Sequence, residues 1–447
     1  MKKNYLFLLL LLIPGFAFSN EGTITLDVNT AVEYAIKTNI SIQEEEIDLK
    51  QAERKYKHSW NNLLPSVSGK AIVNGGGSLT DSSTSQVSFE TGLSANLNVN
   101  AGIKDKIESL KLTYENGKIS YKKAINQLEY EVTSAFYSLL VLENQVSLNK
   151  ESLQAYKNQY EQTKSKKEKG LASELDLLTA QVNYESAKIN LRDAEKSYKN
   201  NVNDFLNNIG IKSEENAEVK LLGTLDDCFS LIQTIDTNQD IDQLVEKNAS
   251  VTSLQASLNQ TQLSRKQLYN SSFLPSLNLS ANVNPYSYSK SNSVGTQISS
   301  GGQSSSSTQG STGSQGAKSW SVSAGLSFSL DNYLPGSSAR DSISDLEDSI
   351  EKLKLEIEET KSKLKIQLKQ MLDEIEFGKE ALENCRLNVE LAKKSFQMAE
   401  VAYKNGTKDL LSLQNIQSTY SNAQAQYMNQ QLSLINTVLN YKKLISE

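Results

Sequence analysis

The chain has 447 residues, enough for several domains, and a formal net charge of −6 at pH 7. Without Lys2 and Lys3, which belong to a leader described below, 44 basic and 52 acidic side chains remain, a balance of −8. That balance argues against a nucleic-acid partner and against a polybasic membrane patch. Two cysteines, Cys228 and Cys385, are too few for a disulfide framework.

Residues 1–19 begin with Lys2 and Lys3, run through apolar Leu6–Ile13 and end on Ala17-Phe18-Ser19. A basic start, a short apolar core and a small-x-small site describe a secretory signal peptide, and the run is too short to span a bilayer. No cysteine follows it, which disfavours a lipid-anchored N-terminus. No other stretch reaches 18 consecutive apolar residues. Any membrane contact of the mature chain would therefore be made by strands closed into a barrel. The compartment permits a Cys228–Cys385 bridge; the alternative is two buried or idle thiols.

A helix is predicted over about 30–62, opening with Thr30-Ala31-Val32-Glu33 as a capping box. Leu64-Pro65-Ser66 ends it, because proline disfavours the α region for the residue before it. Strands follow at about 66–73 and 87–99, around the Gly/Ser-rich stretch 74–86. In the second strand Val87, Phe89, Thr91, Leu93, Ala95, Leu97 and Val99 alternate with Ser88, Glu90, Gly92, Ser94, Asn96 and Asn98. Period two puts the apolar set on one face and the small polar set on the other.

From 101 to 169 there is no proline, and Leu128, Val132, Ala135, Leu139, Leu142, Val146, Leu153, Tyr156 and Tyr160 hold a repeat of seven. This is a helix packed along a coiled-coil seam. About 64 residues at ~1.5 Å each give roughly 96 Å, a length suited to a spacer or a tube. KSKKEKG (164–170) places lysines and then glycine at its end, as dipole and C-cap rules expect. A second helix follows at once, its seam running through Ala180, Tyr184, Ala187, Leu191, Ala194 and Tyr198.

Residues 208–240 show no clear period, and then the pattern starts again. A helix at about 241–271 ends in Leu274-Pro275-Ser276; strands lie at about 276–284 and 320–330. Between them, residues 287–319 form a Ser/Gly/Gln-rich stretch that reads as a loop. The second long seam runs through Leu364, Leu368, Met371, Ile375, Leu382, Cys385, Val389, Ala392, Phe396, Ala399 and Tyr403, with one gap at Gly378. Gly170, Gln181, Tyr184 and Ala187 recur as Gly406, Gln417, Tyr420 and Ala423, an offset of 236. The chain is thus a duplicated helix–strand–strand–helix unit. Its parts are the leader 1–19, a first repeat of about 28–210, a linker of about 211–240 and a second repeat of about 241–447.

Four strands make an open sheet with two bare edges, which lipid does not tolerate, and the smallest barrel needs about eight. Several chains are therefore expected to share one barrel. Two would give eight strands and a filled interior; three would give twelve and a lumen. A soluble half-buried hairpin pair is the alternative to membrane strands.

Leu26, Ala31, Ala35, Asn39 and Leu63-Leu64-Pro65, the two hairpins, and the strings KGLASELDLLTAQ (169–181) and YKNGTKDLLSLQNIQ (403–417) together carry a resemblance. The chain resembles the TolC-type outer-membrane efflux protein family over nearly its whole mature length. The resemblance implies a mainly α fold with a membrane β-barrel portion, four strands per chain, and long coiled-coil helices forming a periplasmic α-barrel in a homotrimer. It implies an outer-membrane exit duct of a tripartite efflux or type I secretion system, reaching into the periplasm and joined to an inner-membrane transporter through a periplasmic adaptor protein. Outer-membrane lipid would be a partner and nucleic acid would not; no cofactor, metal or catalytic group is implied.

By the same resemblance Gly170, Leu171, Ala172 and Ser173 match the first adaptor-docking tip, and Gly406, Thr407 and Lys408 the second. Asp176 matches the acid at the periplasmic entrance. In the second tip Ser412 and Asn415 stand where the family often has aspartates. Asp176 could equally be helix N-terminal charge stabilised by the dipole. His58, the only histidine, reads as solvated or interfacial, and no enzyme constellation accompanies it. Trp320, Tyr286, Tyr288 and Tyr333 lie near strand ends, where aromatic belts form, with Trp60 before the first strand; core packing is the alternative. A secreted coiled-coil stalk would explain the heptads but not hairpins with two distinct faces.

Overall fold

The computed structural model describes residues 23–77, 85–211, 218–226, 230, 235, 240–292 and 318–446. The leader 1–19, Cys228 and residues 293–317 of the Ser/Gly-rich stretch lie outside them. In chain order the elements are β1 (Thr23–Leu26), α1 (Val28–Thr38), α2 (Ile40–Lys57), a 3-10 turn (Ser59–Leu63), β2 (Ser66–Gly77), β3 (Ser85–Val99), α3 (Ile103–Glu168), α4 (Glu174–Asn208) and β4 (Glu218–Leu221). They continue with α5 (Ile241–Lys247), α6 (Ala249–Phe273), β5 (Ser276–Asn292), β6 (Ser319–Ser327), a 3-10 turn (Asp331–Tyr333), α7 (Ser338–Lys404) and α8 (Leu410–Ser446). Helix–strand–strand–helix appears twice. The long helices have 66 and 67 residues. Among the described residues no helix is long and apolar enough to cross a membrane.

The chain forms two units. One comprises Asp48–Ile119 and Thr252–Glu359, the other Met1–Ile47, Ser120–Val251 and Thr360–Glu447.

The first unit holds a four-stranded antiparallel sheet in the order β2-β3-β5-β6. β2 and β6 are its edges. β3 pairs with β5 from Ser85↔Asn292 to Val99↔Leu277, with a shift between Thr91 and Leu93. Thr91 lies opposite Tyr286 and Leu93 opposite Val283, so Asn284 and Pro285 together face Gly92. Proline, which has no N–H to give to a ladder, is tolerated at such a bulge. The bulge also flips the parity of the strand. Apolar residues are odd-numbered up to Val283 and even-numbered at Tyr286 and Tyr288, whose partners Thr91 and Phe89 lie on the apolar face. For this reason a strict period-two reading ends the strand at 284, while backbone pairing carries it to Asn292. At the other end β6 stops at Ser327, before Phe328 and Leu330.

One face of this sheet exposes Val67, Val73, Val87, Leu93, Leu279, Val283, Trp320, Val322 and Leu326. The other is a ladder of small polar groups: the Ser68 and Ser94 hydroxyls are 2.7 Å apart, those of Ser280 and Ser323 2.6 Å, and Asn98 Nδ2 donates to Asn278 Oδ1 at 2.6 Å. Beneath the strands α6 is tied to its neighbours. The Asp105 side chain, 2% exposed, accepts from Lys266 Nζ (2.9 Å) and Asn270 Nδ2 (2.6 Å), and Arg265 Nε donates to Glu347 Oε1 (2.7 Å). Tyr333 donates its hydroxyl to the Phe273 carbonyl at 2.6 Å.

The second unit buries the coiled-coil seams. Leu128, Val132, Leu139, Leu368, Ile375 and Leu382 are all buried. Gly378 interrupts the seam for a steric reason: a Cβ there would stand 2.8 Å from Leu434 Cδ1, so Leu434 lies directly on the helix backbone. Cys385 is half-buried and free. β1 runs parallel to β4, from Thr23↔Glu218 to Leu26↔Leu221.

Local chemistry sets the helix ends. α1 is capped by Asp27 rather than Thr30. Thr30 Oγ1 accepts from Asp27 N (3.1 Å), and the Thr30 hydroxyl and Thr30 N (2.8 Å) both donate to Asp27 Oδ1, which holds the Asp27 carboxyl below its usual pKa. Each helix expected before a Leu-Pro-Ser is broken in two at an asparagine. Asn39 and Asn248 take extended backbone, and their Oδ1 atoms accept from Ile42 N (3.2 Å) and Ser250 N (2.9 Å) in the helix that follows.

Gly210 ends α4 at φ +77°, and a Cβ at this position would overlap the Thr38 side chain, whose hydroxyl donates to the Ile209 carbonyl at 2.7 Å. Gly406 has nearly the same φ, +75°, with open space around it. Gly406→Ala is therefore expected to cost only the left-handed backbone term, about 1–2 kcal/mol. Gly210→Ala adds an overlap worth about 1–3 kcal/mol more. Chemical denaturation of both variants, followed by helical circular dichroism, should rank them in that order.

Candidate functional site

The second unit brings the ends of two helical hairpins together, and both ends are built the same way. α3 closes at Gly170, φ +71°, with Gly170 N donating to the Lys167 carbonyl and Leu171 N to that of Lys166, both at 2.8 Å. α7 closes at Gly406, with Gly406 N on the Tyr403 carbonyl (3.1 Å) and Thr407 N on that of Ala402 (2.9 Å). This pair of bonds is the Schellman stop, and it needs a residue that takes positive φ freely. Lys167 pairs with Glu174 across the first turn.

Three residues beyond each glycine a new helix is capped. Ser173 Oγ accepts from Asp176 N (3.1 Å), and Asp176 Oδ2 accepts from Ser173 N (3.0 Å) and Ser173 Oγ (2.7 Å). In the second tip Asp409 Oδ1 accepts from Ser412 N at 2.7 Å. At the repeat offset of 236 Ser173 corresponds to Asp409, and Asp176 to Ser412. The two tips thus use the same pair of residue types with their places exchanged. The second tip keeps a carboxylate, moved by one helical turn, where Ser412 replaces the expected acid.

The hydrogen bonds from Ser173 hold the Asp176 carboxyl below its usual range, against a smaller upward push from the charge of Asp409. Those from Ser412 do the same for Asp409. Leu171, Ser173, Gly170, Gly406, Thr407, Lys408 and Asn415 are exposed, and Ala172, Asp176 and Ser412 are partly covered. The docking and entrance residues named from sequence lie together at the two turns.

Beneath the turns Ala180, Ala399, Tyr403, Leu410 and Leu413 form one buried cluster, joined by Tyr160, Phe396 and Ile416. Two stacked ring pairs repeat across the duplication. Tyr160 and Tyr184 lie 6.0 Å apart at 8°, and Phe396 and Tyr420 5.9 Å apart at 12°. The hairpins are also joined by polar groups that the periodicity did not single out. Fully buried Thr163 shares a 2.8 Å hydrogen bond with the Tyr403 hydroxyl, and Gln159 Nε2 donates to Gln417 Oε1 at 2.6 Å. Lys166 Nζ donates to the Tyr403 carbonyl at 2.8 Å and stands 3.8 Å from the centre of its ring. Among the described residues no group of three or more His, Cys, Asp or Glu could hold a metal ion. His58 is exposed, as are Trp60, Tyr286, Trp320 and Tyr333.

The family described as outer membrane efflux protein matches residues 31–210 and 241–446. No curated protein sequence matches the chain. Among solved structures, the Campylobacter jejuni CmeC outer membrane channel is similar at 15% identity, covering 94% of this chain and 85% of that one with a TM-score of 0.73. The open-state Neisseria gonorrhoeae MtrE outer membrane channel is similar at 16% identity, with 94% and 88% covered and a TM-score of 0.72. CusC, described for its folding and transmembrane channel formation, is similar at 15%, with 96% and 95% covered and a TM-score of 0.72.

Ser173→Ala removes the two hydrogen bonds of the Ser173 hydroxyl, leaves the backbone N–H of residue 173 on the Asp176 carboxylate, and is expected to cost about 0.5–2 kcal/mol. The loss should appear as faster amide exchange confined to the first turn of α4. Both tip carboxyls have lowered pKa values, so their caps are at full strength above the ordinary value of 3.8 and weaken as pH falls through the lowered ones. In Ser173→Ala the Asp176 carboxyl should titrate closer to 3.8, as read by NMR of the carboxyl carbon.

Proposed function

The chain belongs to the outer membrane efflux protein family and is an outer-membrane efflux duct extending into the periplasm; from that premise we propose that three copies build one conduit and that it works beneath a pump it does not contain. The observation that carries this reading is the open sheet. Its edges β2 and β6 leave rows of backbone N–H and C=O groups without strand partners, and lipid offers them none. Three copies give twelve strands with β2 of one joined to β6 of the next. The exposed valines, leucines and Trp320 then face lipid, and the Ser/Asn ladder faces a lumen too wide for side chains to fill.

The helices supply a second reason for ring closure. α4 exposes Leu175, Leu178, Val182 and Ile189, and α7 exposes Leu387, Leu391, Met398 and Val401. Each row follows heptad spacing and is left exposed by the described residues of the chain. Two different rows on one subunit favour a head-to-tail contact, which closes into a ring when the rotation allows.

Gly170, Leu171, Ala172 and Ser173, with Gly406, Thr407 and Lys408, form the surface for a periplasmic adaptor protein, which links the duct to an inner-membrane transporter. Asp176 and Asp409 line the periplasmic entrance, and Ser412 and Asn415 shape the second tip beside them. Three copies would place six carboxylates around one opening, a ring that attracts cations. The duct itself is a passive conduit without catalysis.

Purified in detergent, the protein should cross-link to a trimer and open discrete channels in planar bilayers. A monomer soluble without detergent, or an extended soluble rod, would overturn the proposal. Asp176→Asn combined with Asp409→Asn should lower cation preference and change single-channel conductance while leaving the trimer intact. Unchanged traces would remove both residues from the entrance.

A further inference from the structure

Among the described side chains of the four strands, the polar face of the sheet carries one ion pair. Lys70 Nζ lies 3.6 Å from Glu90 Oε2, with the two side chains 54% and 45% exposed. The rest of that face is neutral, apart from charge-free Ile72 built almost wholly of Ser, Asn and Gly.

The backbone is shaped around this pair. Lys70 lies opposite Gly92, and Glu90 opposite Ile72, so the ion pair runs diagonally between β2 and β3. Gly92 sits at the bulge, facing Asn284 and Pro285. A Cβ on Gly92 would stand 2.9 Å from Lys70 Cε, 3.2 Å from Lys70 Cγ and 2.9 Å from Asn284 Oδ1. The lysine stem therefore lies across the bare glycine and reaches its carboxylate along the wall. Among its described side chains the second hairpin shows no counterpart. There the face is closed by the Ser280–Ser323 and Asn278–Ser327 hydrogen bonds.

We propose that Lys70 and Glu90 set the charge preference of the barrel lumen. The inference rests on the three-chain barrel proposed above. In that barrel each pair recurs three times at one height, as three ammonium and three carboxylate groups on an otherwise neutral wall. Paired, they cancel, and the outlet favours neither sign of solute. Unpaired, either set becomes a charged ring of the kind that selects ions in pores. The partners are small charged solutes of both signs, which a balanced ring lets pass.

The test is the ratio of potassium to chloride permeability, from reversal potentials of single channels in planar bilayers under a potassium chloride gradient. Glu90→Gln should shift the ratio toward chloride, and Lys70→Gln toward potassium, each by roughly twofold or more. The double variant K70Q/E90Q and the exchanged variant K70E/E90K should both keep the wild-type ratio. Trimers and open channels with wild-type ratios in both single variants would overturn the inference and leave the barrel standing. A wild-type protein that forms neither trimers nor channels would overturn both. Single variants that fail to assemble beside a normal exchanged variant would make the pair a structural brace, and would overturn the inference as well.

Discussion

An edge strand in lipid has nowhere to put its hydrogen bonds. β2 and β6 each present one side without a strand partner, and an unsatisfied backbone group in hydrocarbon costs several kcal/mol. A sheet of this width therefore cannot stand in a bilayer as a single copy, whatever its side chains. The duplicated chain supplies two hairpins to the wall, and symmetry supplies the remainder. The same logic reaches the helices. α4 and α7 keep apolar rows that none of the described residues covers, which would be a liability in a monomer and is an asset in a ring.

Duplication fixed the architecture, and divergence then worked inside it. The two turns share a glycine stop, a Ser/Asp cap and a stacked aromatic pair about three helical turns away. Yet the carboxylate sits at the third helical residue in one tip and at the cap in the other. The buried contacts are also unequal. Thr163 and Lys166 of the first hairpin grip Tyr403 of the second, while the position equivalent to Thr163 is the small apolar Ala399. This seam includes two buried polar atoms without a hydrogen-bond partner, Gln159 Oε1 and Gln414 Nε2. Separating the hairpins there gives those groups access to water, so the seam opens at lower cost than an apolar one of equal area.

Much of this was legible in the sequence because the signals are long. Heptads sustained over some 30 to 40 residues and a repeated Leu-Pro-Ser leave few alternatives, and the helix–strand–strand–helix order follows from them. Short or parity-breaking features were not legible. β1 (TITL) and β4 (EVKL) do alternate, but over four residues each, too short a run to stand out. The bulge at Gly92 moved the apolar residues of β5 from odd to even positions, which hid eight residues of strand beyond Asn284. Asn39 and Asn248 broke helices whose periodicity ran on past them. At the tips the position of each turn could be read from glycine and lysine. Asp409 was missed because its cap reads Asp-x-x-Ser, the mirror of the Ser-x-x-Asp at 173–176, and the expected acid was sought at Ser412. The grip on Tyr403 left no trace in periodicity, since threonine and lysine on a helix usually signify a solvated face.

The wall of a conduit has to be wet without being sticky. The ladder of serines and asparagines meets both demands, because many of its polar groups already bond one another: Ser68 to Ser94, Ser280 to Ser323, Asn98 to Asn278. A solute moving past displaces water from groups that are largely satisfied, and gains little by stopping. Conduction depends on binding that is weak enough to release. Such a surface offers little by which to choose cargo through hydrogen bonding.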